Sequence, residues 1–199
     1  MVFVDKLNQA HSLHKRCREV FAVGTRSTKG FAIIDLLFVC AIISIISGIA
    51  LPRLMAARGS AQAASAIGSM RVIGTSQVTF AITCGSGFYA PNLTALGKVP
   101  LGALDGFISP DLSSADTLIK SDYTIQMDAT AFGGAPDTCN ALGVGQTGQA
   151  FRAAADPLEP SNTRFFAINA GNTIWEDRMS LWASMPEAGD PPSGAPIKF

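Results

Sequence analysis

The sequence predicts an α+β protein: one long N-terminal α-helix packed against a small antiparallel β-sheet of about four strands. Three observations predict it. From Phe31 to Leu51 run 21 residues with one formal charge, Asp35, and no proline, close to the length that a helix needs to cross a bilayer core of about 30 Å. From Arg53 to Ile82 the chain is alanine-rich and free of proline, which favours continued helix. After Asp122, short runs of alternating apolar and polar residues are separated by Gly-, Asn- and Pro-rich breaks, the pattern of antiparallel strands.

The helix is expected over 31–84, with 31–51 as its membrane span. Pro52 removes one backbone donor and crowds the preceding turn, and Gly48 lies one turn before it; together they mark a place for the helix to bend rather than stop. Beyond them Ala66, Met70, Ile73, Phe80 and Cys84 fall in one narrow arc, interrupted only by Gln77, while Arg71, Thr75, Ser76, Thr79 and Thr83 are assigned to the opposite side. The stripe is the packing face for a globular head over 85–199. Gly85, Gly87, Pro91 and Pro100 open an irregular connection over 85–122, in which Ser109-Pro110-Asp111-Leu112 resembles the start of a short helix. Strands are expected at Tyr123–Met127, Gln149–Ala153, Arg164–Ile168 and Thr173–Glu176, forming a meander over 123–177, with Asn169-Ala170-Gly171-Asn172 as a tight hairpin. The tail, 178–199, holds Pro191, Pro192 and Pro196 and is expected to be extended, with Leu181 and Trp182 pinning its start.

The formal charge of zero conceals an asymmetry. Residues 1–30 carry six basic and two acidic side chains, while 31–199 carry nine basic and thirteen acidic. A basic segment before an apolar span keeps the N-terminus cytoplasmic and sends the remainder across the membrane. Of the four cysteines, Cys17 lies in the basic segment and Cys40 in the span, so only Cys84 and Cys139 reach an oxidising compartment. They are expected to form a disulfide. A metal or redox site is the alternative, but the chain has no Cys-x-x-Cys and no histidine near them.

The stretch Lys29-Gly30-Phe31, followed by aliphatics, the acid Asp35 and Pro52 after the span, resembles the N-terminus of type IV prepilins and type II secretion pseudopilins. The resemblance implies a type IV pilin-like fold and a leader, 1–30, that a prepilin peptidase removes by cutting between Gly30 and Phe31. It also implies methylation of the new N-terminal Phe31, and an assembly role for Asp35 in offsetting that terminal amine. One residue departs from the family pattern: where the family usually has glutamate this chain has aspartate, one methylene shorter. The implied partners are the peptidase, further copies of the chain in a helical filament, other pilins or pseudopilins, and the inner-membrane assembly machinery. The implied location is the bacterial inner membrane before assembly, and an extracellular pilus or a periplasmic pseudopilus after it. An uncut, single-pass anchored binding domain shares the charge pattern and stays open beside these two.

Both histidines, His11 and His14, precede the proposed cut, so the remaining chain has no histidine for a Ser-His-Asp or Cys-His system or for a histidine-ligated zinc. No catalytic residue is assigned and the chain is expected not to be an enzyme. Calcium is the one cofactor left open, because some pseudopilins bind it and oxygen ligands suffice. Asp137, Asp156 and Glu159 are the candidates, although no D-x-D-x-D run is present. Gly143-Val144-Gly145-Gln146-Thr147-Gly148 lacks the lysine of a phosphate loop. The nine basic residues after the leader are scattered in an acidic background, which gives no footprint for nucleic acid.

Overall fold

The computed structural model describes residues 33–198. They fall into two compact units divided between Leu51 and Pro52. Helix α1, Ile33–Thr83, runs across that division and continues through Gly48 and Pro52 without termination. In the first unit every described residue from Ile33 to Leu51 is exposed, so this apolar stretch is left uncovered by the described residues.

In the second unit α1 supplies one wall of the core. Ala66, Met70, Ile73, Phe80 and Cys84 are all buried, at the spacing the sequence predicts. Gln77, in the middle of this stripe, is also buried, and its amide is fully used: Nε2 donates to the Ala90 carbonyl at 2.9 Å and Oε1 accepts from the Ala90 N–H at 2.9 Å. The side chain thus satisfies both backbone groups of a buried residue that has left regular structure. A buried amide left unpaired costs roughly 1–3 kcal/mol. Ser76 is buried too, a correction to its expected place on the outer side. It lies three residues from Ile73 and four from Phe80, so it shares their face. Thr75, Thr79 and Thr83 are exposed, each returning its hydroxyl to the carbonyl four residues earlier.

The helix ends where Gly85 N–H reaches the Phe80 carbonyl and Gly87 N–H the Ala81 carbonyl, with Ser86 and Gly87 at positive φ. Two short helices follow, α2 (Leu93–Gly97) and α3 (Pro110–Ser113). Asn92 caps α2 by accepting from Ala95 N–H at 2.8 Å.

The sheet is antiparallel and has six strands rather than about four: β1 Thr117–Lys120, β2 Tyr123–Asp128, β3 Arg152–Pro157, β4 Phe165–Asn169, β5 Ile174–Asp177 and β6 Ala195–Pro196. Their spatial order is their chain order. Three corrections follow. β1 lies in the stretch expected to be irregular, joined to β2 by Ser121 and Asp122, both at positive φ. β3 begins three residues later than the expected Gln149 and extends to Pro157. β6 comes from the proline-rich tail and pairs only with β5, so Pro196 occupies an edge, the place a sheet tolerates it. The β4–β5 hairpin forms as expected, with Asn172 at positive φ and its N–H on the Asn169 carbonyl.

One sheet face, carrying Tyr123, Ile125, Met127, Ala153, Ala155, Phe166 and Ile168, belongs to the main core with the α1 stripe. The other face carries Ala154, Ala167 and Trp175, covered by Leu181, Trp182 and Met185 from the segment after β5. The tail is therefore a strap across the outer face, with Leu181 only 1% exposed.

Candidate functional site

The apolar half of α1 is the only described helix long and apolar enough to cross a membrane. Asp35 lies in its first described turn, exposed and with no ion pair among the described residues. Among the described residues nothing neutralises this carboxylate, a charge of the kind that costs about 2.5–3.5 kcal/mol at the centre of a membrane helix. Gly30 and Phe31 lie outside the described residues. A Cβ on Gly48 would meet nothing within 4 Å, so that position is open on the helix surface. Cys40 is exposed with a free thiol.

At the far end of α1 the two cysteines that follow the apolar stretch are joined. Cys84–Cys139 is a disulfide with its Cα atoms 5.0 Å apart and a sequence separation of 55. It ties the loop 131–148 to the helix terminus. The same loop is held by Gly148, which forms bridges to both Tyr89 and Ala131. A Cβ on Gly148 would approach the Thr130 carbonyl to 2.7 Å, so glycine is needed where two backbones meet.

Asp137, Asp156 and Glu159 are not brought together. Among the described residues no three Asp, Glu, His or Cys side chains form a group that could hold a metal ion. Asp137 and Glu159 are exposed, and Asp156 accepts a 2.6 Å hydrogen bond from the Ser180 hydroxyl of the strap. Its other oxygen, Oδ1, is buried with no hydrogen-bond partner. Burial raises the Asp156 carboxyl above its ordinary value of 3.8, and the Ser180 hydroxyl offsets part of that rise.

With the folded value above the unfolded one, the charged form costs stability at neutral pH, and the cost disappears as pH falls through the folded value. Asp156→Asn should therefore raise the melting temperature at pH 7, by about 1–3 °C for a domain of this size. The gain should vanish below pH 3.8. Melting curves of both proteins across that range check it, and a gain that persists in acid would mean that charge is not the cause.

Sequence reasoning did not find the polar contacts that fasten the strap. Arg152 on β3 donates through Nη1 to the carbonyls of Trp182 and Met185, at 3.3 and 3.4 Å, and its guanidinium lies 4.9 Å from the centre of the Trp182 ring. Asn169 Nδ2 donates to the Pro186 and Gly189 carbonyls. Glu187 accepts from both the N–H and the hydroxyl of Thr130. All of these join residues far apart in sequence, which no local spacing encodes.

A cleft of about 530 Å³ is lined by Thr163, Arg164, Glu176, Arg178, Gly194 and Ala195. Its main cation is engaged, because Arg164 makes a two-pronged contact with Glu176 at 2.6 and 3.0 Å. What the fold and these features define is an α+β head, closed by a disulfide and carried on a helix apolar enough to span a membrane. Comparison with protein-family models, curated proteins and solved structures found no match to this chain.

Proposed function

We propose that this chain is a prepilin-like structural subunit, cut after Gly30 by a prepilin peptidase and polymerised through its apolar helix into a type IV pilus filament. The observation that carries this reading is the wholly exposed apolar half of α1, with the lone acid Asp35, continuous with a helix half buried in a separate head. The Lys29-Gly30-Phe31 motif just before it supports the same reading. The mechanism is physical rather than catalytic. Removal of a leader with six basic and two acidic residues lets the helix leave lipid for a bundle of neighbouring helices, where Asp35 pairs with the terminal ammonium of Phe31 and sets the axial register. The partners in this reading are other pilins or pseudopilins and the inner-membrane assembly machinery.

Mass spectrometry of the membrane-extracted chain is expected to show a mature form beginning with N-methylated Phe31. A chain that keeps residues 1–30 would overturn the reading in favour of an uncut anchored domain. Sheared surface fibres containing the chain are expected for a pilus; a processed chain confined to the periplasm would instead assign it to a type II secretion pseudopilus.

A further inference from the structure

The most exposed apolar side chains of the head are Leu101, at 100%, and Leu104, at 95%, with Val99 beside them at 52%. They are displayed on a loop that is built to hold its shape. Its neck is closed where Phe107 N–H reaches the Leu96 carbonyl and where Gly106 lies against Gly97; a Cβ on Gly106 would come within 2.2 Å of the Gly97 oxygen. At its tip Ala103 N–H reaches the Pro100 carbonyl across Gly102 at φ +84°, a β-turn that needs a left-handed residue there. The Leu101 N–H donates to the carbonyl of Cys139, which is fixed to α1 by the disulfide. Two leucines held in water by a turn, a glycine neck and a disulfide-anchored strand are preorganised for contact, since little order remains to be lost on binding.

The same part of the head offers a receptor. A cavity of about 450 Å³ is lined by Pro91, Ala95, Ala131 and Leu142, with Lys98 at its edge. Leu101 does not fill it, being wholly exposed. Lys98 precedes the displayed residues and Asp105 follows them, and neither has an ion partner among the described residues.

We infer that this face binds a second copy of the chain, with the Leu101 and Leu104 of each head entering the cavity of the other and Asp105 of each pairing with Lys98 of the other. Lys98, which lines the cavity, is three residues before Leu101, so knob and cavity adjoin along the chain and the inferred contact is self-complementary and two-fold. A two-fold contact cannot propagate a helical array, so it joins subunits of separate filaments, or pairs them before assembly. The choice of a second copy as occupant rests on the self-assembling reading above and on the opposite charges at the two ends of the loop.

Sedimentation of the full chain in detergent tests it. The native chain is expected to show a concentration-dependent dimer. Leu101→Ser with Leu104→Ser should weaken it about tenfold or more. Lys98→Asp and Asp105→Lys should each weaken it, and the two together should restore it. All these positions are exposed, and an unchanged melting temperature confirms folding. A native chain that stays monomeric at about 100 µM, a dimer indifferent to the leucines (each affinity step read by tenfold arithmetic), or a charge swap without recovery would overturn the inference. Leader cleavage is read separately by mass. A chain starting at Phe31 that remains monomeric overturns this contact alone, and an uncut chain that dimerises through Leu101 overturns the filament reading alone.

Discussion

Asp35→Ala is expected to insert into the membrane as well as the native chain and to yield at least about tenfold less filament. Removing a carboxylate from an apolar span makes insertion easier, not harder. In the proposed filament the same change would strand the ammonium of Phe31 among apolar helices. Deleting one partner of a buried ion pair costs about 3–5 kcal/mol, of which even a third is close to a factor of ten. The exposed setting of Asp35, without an ion pair among the described residues, leaves it available for a partner from another chain. Asp35→Glu should assemble at least as well as the native chain, since it adds reach without changing charge. Immunoblots of sheared fibres and of membrane fractions give both readouts. Native fibre yield from the alanine variant would remove the proposed register role.

Replacing both Cys84 and Cys139 with serine should lower the stability of the head by about 4 kcal/mol, the chain-entropy value for a loop of roughly 55 residues. For a domain of this size the melting temperature should fall by about 8–16 °C. The loss should be felt first at the loop 131–148 and at Leu101, whose N–H depends on the Cys139 carbonyl. Thermal melts with and without reductant, followed by limited proteolysis, check both parts. A melting temperature unchanged by reductant would show that the polar contacts of Gly148 and Asn140 hold the loop without the bridge; Asn140 Nδ2 donates to the Ala95 carbonyl at 2.8 Å.

The parts of this fold that the sequence made legible are those set by local periodicity. The α1 stripe is readable because Ala66, Met70, Ile73 and Phe80 recur at helical spacing, and the disulfide because only two cysteines follow the span. β1 was hidden by its turn. Ser121 and Asp122 both adopt positive φ, where Asn-Gly is the usual cue. The expected strand Gln149–Ala153 overlaps β3 only at Arg152 and Ala153, because the alanines that follow carry no alternation of apolar and polar residues. In the structure those alanines are small because both sheet faces are covered, Ala153 and Ala155 on the helix side and Ala154 beneath the strap. Packing here overrides propensity. For the candidate site, the apolar span and its acid were legible in sequence. The strap contacts and the displayed leucines were not, because burial and exposure there are set by residues far away along the chain.

The sheet's order has a consequence for how the head is made. Each strand pairs with the one delivered just before it, so in a chain emerging gradually, helix first, every new strand finds its first partner already made. Short separations between pairing strands also favour quick folding. The final strand, two residues long and ending in a proline that cannot donate, leaves that margin poorly suited to recruiting stray β-structure from neighbouring molecules.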